Sequence, residues 1–175
     1  MQTDPEVLIS AEKIRSRIKI LGQTITNDYA GETLVVVGVL KGAFIFCADL
    51  MKELDLPIRL DFVSLSSYGD GTDSTGEVKK KLDLSSSIEG EHVLIVEDII
   101  DTGLTISSLM EDLRSRRPKS LRLASFLHKP ARSKIAVTID YLGFEIEDHF
   151  VIGYGLDYAQ KYRELPYVGV VVHGQ

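Results

Sequence analysis

From Glu97 to Thr105 the chain reads Glu-Asp-Ile-Ile-Asp-Thr-Gly-Leu-Thr, so three carboxylates, a glycine and two hydroxyls fall within a short run. Two kinds of chemistry fit it. From Asp101 to Thr105, consecutive backbone N–H groups and the Thr102 and Thr105 hydroxyls can turn toward an anion. Gly103 permits close approach, and a helix starting there favours negative charge at its N-terminus. That describes a cradle for a monophosphate. Glu97 and Asp98, just upstream, are acceptors suited to the hydroxyls of a sugar whose phosphate lies in the cradle. A phosphorylated ribose would satisfy both halves. Acids that merely cap and solvate a loop are the plainer alternative, which a single acidic residue would suit better than this constellation does.

Such a segment needs a strand before it and a helix after it. Residues 92–97 (HVLIVE) read as a strand covered on both faces, and from Thr105 the positions Ile106, Leu109, Met110 and Leu113 restore helical spacing. Residues 34–40 (LVVVGVL) form a second run of the same buried type. A first helix begins at Ser10, its N-cap, with Ile14, Ile18, Leu21 and Ile25 as its apolar stripe, and a second is expected over about 44–54. Further strands are expected at 58–65, 121–127, 150–154 and 167–172. Strands interleaved with helices predict an α/β fold around a mostly parallel sheet, whose ligands bind beyond the carboxyl ends of the strands. Residues 66–87, rich in Gly, Ser, Thr, Asp and Lys, read as a long polar loop, and such loops are often lids or binding loops.

The 175 residues suit one domain, 1–175, with one core; no repeat or linker divides them. With 20 Lys and Arg against 26 Asp and Glu, the net charge of −6 has the wrong sign for gripping a nucleic-acid backbone over a large surface. Cys47, the single cysteine, lies in the apolar run AFIFCA and reads as a buried side chain in a reducing compartment. No basic leader or membrane-length apolar run is seen, so a soluble, cytoplasmic protein is expected. His92, His128, His149 and His173 show no paired metal-ligand spacing and read as ordinary surface or loop residues.

The run Val93-Leu94-Ile95-Val96-Glu97-Asp98-Ile99-Ile100-Asp101-Thr102-Gly103 resembles the phosphoribosyl diphosphate (PRPP) binding motif of the type I phosphoribosyltransferases, in the form used by hypoxanthine-guanine phosphoribosyltransferases. The resemblance spans about residues 8–173. It runs through Leu40-Lys41-Gly42-Ala43-Phe44, Ser66-Ser67-Tyr68-Gly69, Ser74-Thr75-Gly76, His128-Lys129-Pro130 and Gly143-Phe144-Glu145. It continues from Phe150 to Tyr158 and through Tyr162-Arg163. Leu104 departs from it, since some members carry Lys there; a cradle built of backbone N–H groups loses little, but no side-chain charge is available at that position.

The resemblance implies a type I phosphoribosyltransferase fold with a small hood region and a mobile loop. It implies transfer of the 5-phosphoribosyl group of PRPP to N9 of hypoxanthine or guanine, giving IMP or GMP and pyrophosphate. Glu97 and Asp98 would hold the ribose hydroxyls, and Thr102, Gly103, Leu104 and Thr105 the 5-phosphate. Asp101 would face N7 of the purine as general base. Lys41 with Gly42, and Arg163, would surround the pyrophosphate, with Lys41 and Tyr68 joining Asp101 as candidate catalytic residues. A Mg²⁺ cofactor would meet Glu97, Asp98 and Asp157. Lys129 would donate to the 6-oxo group, Phe150 would stack on the base, and Val151 would offer backbone groups, with Asp157 also lining the purine site. An ammonium has only donors, so adenine should be a poor substrate. Ser67, Tyr68, Ser74, Thr75 and Gly76 would belong to a loop that excludes water. A homodimer or homotetramer is implied, with PRPP and 6-oxopurines as partners.

Two other readings compete. Asp101-Thr102-Gly103 also occurs as the Asp-Thr-Gly of two-subunit aspartic proteases, but those are all-β and have no use for the upstream Glu97 and Asp98. A regulator on the same fold that binds RNA or DNA is the second, against which the net charge and the absence of a dense basic run count.

Overall fold

The structure, a computed structural model, describes residues 5–67 and 78–171. In chain order the elements are β1 (Glu6–Ile9), α1 (Ala11–Asp28), β2 (Leu34–Leu40), α2 (Phe44–Lys52), β3 (Ile58–Ser67), β4 (Val78–Leu82) and β5 (His92–Ile100). There follow α3 (Leu104–Ser115), β6 (Ser120–His128), a 3-10 turn (Pro130–Arg132), β7 (Tyr141–Glu145), β8 (Val151–Ile152) and β9 (Val168–Val170).

Successive side chains of a strand face opposite ways, and β2 and β5 are apolar at nearly every position, so both faces of their sheet need a cover. On one face Leu34, Val36, Leu94 and Val96 lie beneath Ile14, Ile18, Leu21 and Ile25 of α1 and Phe46, Cys47 and Leu50 of α2. On the other, Val35, Val37, Val93 and Ile95 lie beneath Ile106, Leu109, Met110 and Leu113 of α3. Each of these large side chains contributes about 1.5–3 kcal/mol by leaving water. Ser10 caps α1 by accepting from the Lys13 backbone N–H at 3.2 Å. Arg17 of α1 donates to the carbonyls of Leu142 (2.7 Å) and Gly143 (3.0 Å), fixing that helix against β7.

The six-stranded sheet has the order β4-β3-β2-β5-β6-β7 and is parallel apart from β4. The chain steps outward from β2 to β3 on one side and from β5 to β7 on the other. The boundary between β2 and β5 is therefore the topological switch point, where ligands of open α/β sheets bind.

Three sequence expectations change. Residues 66–87 are not one loop, because β3 runs to Ser67 and Val78–Leu82 returns antiparallel to it as β4. The apolar runs near 150–154 and 167–172 do not extend the parallel sheet. They supply the short strands β8 and β9, which join β1 in a separate antiparallel sheet of order β1-β9-β8. His92 is not a surface or loop residue, since it opens β5 half-buried with Nδ1 2.6 Å from Ser120 Oγ. Cys47 is buried as expected, which pushes its thiol up to about 11.

Candidate active site

The β5 strand carries its acids to the carboxyl end of the sheet. Glu97 and Asp98 are still strand residues, and their carboxyls neighbour each other at the end of β5, where two adjoining concavities share Asp101. Asp98 lines the larger, of about 530 Å³, with Asp101, Lys129, Arg132, Asp148 and Phe150. Glu97 lines a smaller one, of about 90 Å³, with Thr102, Gly103 and Thr105.

The small concavity lies at the start of α3. Gly103 is the N-cap, at φ +85°, a left-handed conformation that L side chains rarely adopt. Gly103 offers no side-chain cap, so the first-turn N–H groups of α3 have no intrahelical partners. The Thr102 hydroxyl lies 3.4 Å from the Leu104 N–H. Leu104 itself is exposed and adds no charge.

Burial, and then the adjacent charge of Asp98, hold the Glu97 carboxyl well above the usual carboxylate range. The Asp98 N–H partly offsets this by donating to Glu97 Oε1 at 2.9 Å. Gly42, just beyond β2, is packed so closely on Asp98 that a Cβ there would collide with the carboxylate. The glycine thus brings the ends of β2 and β5 together across the switch point. Lys41 beside it is exposed, and the Leu40–Lys41 peptide is cis.

In the larger cavity Lys129 is buried, with Nζ 3.7 Å from Asp148 Oδ1. Phe150, just before β8, is half-exposed rather than part of the core and meets Tyr158 edge-on at 5.6 Å. Val151 is buried beside it in β8. Asp101 is not a free carboxylate: the Arg132 Nε–H donates to its Oδ1 at 2.7 Å. Asp157 sits in a segment where Tyr154, Ala159, Gln160 and Tyr162 all have positive φ, strain of the kind that collects at functional sites. Its Oδ1 lies 3.1 Å from Arg163 Nη2, and its Oδ2 accepts from the Gln160 N–H at 2.8 Å. Arg163 also donates to the Gly155 carbonyl at 2.6 Å, so it is turned onto its own loop.

Among the described residues no three His, Cys, Asp or Glu side chains gather to hold an ion. The expected set of Glu97, Asp98 and Asp157 therefore does not close on one metal by itself, and both Asp157 oxygens already have partners. What is present is a neighbouring carboxylate pair in which one charge opposes the other. That fits Mg²⁺, which takes one or two carboxylates and completes its shell with water and substrate oxygens.

The sequence reading placed Lys129 and Phe150 in one site and missed Arg132 and Asp148, which lie there too. The signal for Arg132 was a second cation shortly after Lys129 across a proline; Asp148 gave none. Ser67 ends β3, while Tyr68, Ser74, Thr75 and Gly76 lie outside the described residues.

A helix N-terminus opened by Gly103, an acidic strand end and a cavity lined by Lys129 and Phe150 meet at the switch point, an arrangement that suits a phosphorylated sugar and a flat base. The chain belongs to the phosphoribosyl transferase domain family, whose model matches residues 9–159. It is 49% identical over 166 residues to the hypoxanthine-guanine phosphoribosyltransferase of Bacillus subtilis, covering 95% of this chain and 92% of that protein. It is also 49% identical to the bifunctional protein TilS/HprT of Listeria innocua, where the match covers 95% of this chain but only 26% of the longer protein. A solved hypoxanthine-guanine phosphoribosyltransferase from Bacillus anthracis superposes with a TM-score of 0.92 at 44% identity, covering 95% of this chain and 98% of that one. The fold is accordingly the type I phosphoribosyltransferase fold.

Proposed function

We propose that residues 1–175 act as one phosphoribosyltransferase domain that salvages purines, joining the 5-phosphoribosyl group of PRPP to N9 of hypoxanthine or guanine. The products are IMP or GMP and pyrophosphate. The observation that carries this is the setting of the small concavity at Gly103 beside the cavity of Lys129 and Phe150, with Asp101 lining both. The names of the relatives support the same substrates.

The α3 N-terminus, with Thr102, Gly103, Leu104 and Thr105, holds the 5-phosphate through backbone N–H groups. Glu97 and Asp98 hold the ribose hydroxyls as a neighbouring pair. Phe150 stacks on the base, Val151 meets its edge through the backbone, and Lys129 donates to the 6-oxo group. N9 forms its bond to the anomeric carbon as the C–O electron pair leaves with pyrophosphate. The proton on N7 passes to Asp101, which returns it to water. Lys41, Gly42 and Arg163 lie toward the pyrophosphate. Asp98 and Glu97 are the carboxylates that would hold Mg²⁺, with Asp157 lining the same cavity as Asp98, and the ion would supply positive charge to the leaving pyrophosphate. The cover over the site is assigned to Ser67, Tyr68, Ser74, Thr75 and Gly76 by resemblance alone. The enzyme is read as cytoplasmic and as a homodimer or homotetramer.

The test offers hypoxanthine, guanine, xanthine, adenine and uracil separately with PRPP and Mg²⁺. Nucleotide formed from hypoxanthine or guanine, lost with chelator and nearly absent with adenine and uracil, is the expected result. Turnover of adenine at a comparable rate would overturn the role of Lys129. PRPP binding with no turnover of any base would point to a sensing role.

A further inference from the structure

We infer that Arg132 is a positioning residue for proton transfer, holding Asp101 at a fixed separation from Lys129; the inference rests on the reading of Asp101 as proton acceptor given above. Arg132 ends the 3-10 turn that follows Lys129. Its Nε is 2.7 Å from Asp101 Oδ1, its Nη1 is 3.6 Å from Asp148 Oδ2, and Asp148 Oδ1 is 3.7 Å from Lys129 Nζ. Carboxylate, guanidinium, carboxylate and ammonium alternate along the wall of one cavity.

The chemistry gives this row a purpose. On a 6-oxopurine the oxo group and N7 share one edge, so their two protein partners must be held a set distance apart. Those partners come from different segments, Asp101 from the β5–α3 connection and Lys129 from the end of β6. Backbone bonds join the segments, with Lys129 N donating to the Ile100 carbonyl at 3.0 Å and Lys134 N to the Thr102 carbonyl at 2.9 Å. They fix the main chain but not the carboxylate. The single Nε–H of a planar guanidinium has one direction, so it engages one oxygen of Asp101 and leaves the other for the N7 proton.

Stability is a poor explanation for the pair. The two side chains are 48% and 42% exposed, and exposed ion pairs contribute little, commonly about 0–1 kcal/mol. Orientation in the cavity remains as its effect.

The experiment is steady-state kinetics on the full chain with hypoxanthine and PRPP, comparing wild type with Arg132→Gln, Arg132→Lys, Asp101→Asn and the Asp101→Asn/Arg132→Gln pair. Arg132→Gln is expected to lower kcat on the order of 10- to 100-fold while KM for PRPP changes by less than about twofold. Arg132→Lys should recover little of that, because an ammonium lacks the planar fork. In the Asp101→Asn background, Arg132→Gln should add less than about a twofold loss, since both changes act on one step. Additive losses, full rescue by lysine, or a loss confined to KM for PRPP would each overturn the inference while leaving the transferase reading intact. Absence of turnover in the wild type would overturn both.

Discussion

Gly103 joins backbone conformation to the proposed phosphate site at a single residue. At φ +85° a Cβ would stand 2.7 Å from the Ile135 carbonyl oxygen, so a side chain there is strained twice. Gly103→Ala should lower stability by about 1–3 kcal/mol and raise KM for PRPP more than KM for the base, because the cradle is the part that shifts. Thermal unfolding and steady-state kinetics check both, and an alanine variant with unaltered KM for PRPP would show that the phosphate does not sit there. The run from Glu97 to Thr105 was legible from residue types because its parts are contiguous, needing only the geometry of a strand end and a helix start. The bond between Arg132 and Asp101 was not, since it joins residues 31 apart and many basic residues were equally eligible partners.

At the scale of elements, Asp61 of β3 illustrates how strands are tied to their connections. Burial alone would raise its carboxyl, but hydrogen bonds from the Phe62 N–H (2.8 Å) and from the Ser85 N–H and hydroxyl (2.9 Å each) outweigh it and hold the group below the usual range. Its contribution is therefore complete above the ordinary Asp range and is lost as pH falls through the depressed native value. Asp61→Asn should reduce stability by about 1–3 kcal/mol near neutrality, with the difference from wild type narrowing in acid. Denaturant unfolding at several pH values measures this, and a difference that widened in acid would reverse the assignment. Continuous apolar runs announced β2 and β5, and the Ile14, Ile18, Leu21, Ile25 stripe announced α1, because burial imposes those patterns directly. The β4 strand was illegible for the opposite reason. Its sequence, VKKKL, suits a charged edge strand and is indistinguishable by composition from a polar loop.

For the whole molecule, the parallel sheet with helices on both faces removes the aspartic-protease reading of Asp101-Thr102-Gly103, which requires an all-β frame. The same architecture explains why the acidic strand end and the Lys129 turn meet although they are distant in sequence: adjacent parallel strands β5 and β6 end on the same side. The separate β1-β9-β8 sheet, which brings Phe150 and Val151 to that side, was not anticipated: the runs at 150–154 and 167–172 read as strands but not as a sheet of their own. Its strands are two to four residues long, too short to show a period. In the proposed function these parts carry one reaction, with Asp101 acting in the chemical step and the cradle in binding. The most direct measurement is the rate of IMP and pyrophosphate release from hypoxanthine and saturating PRPP, in wild type and in Asp101→Ala, alongside PRPP affinity for both. The prediction is equimolar products from the wild type, a kcat lower by about 10²-fold or more in the variant, and PRPP affinity nearly unchanged. Equal kcat in the two proteins, or no nucleotide from either, would contradict it.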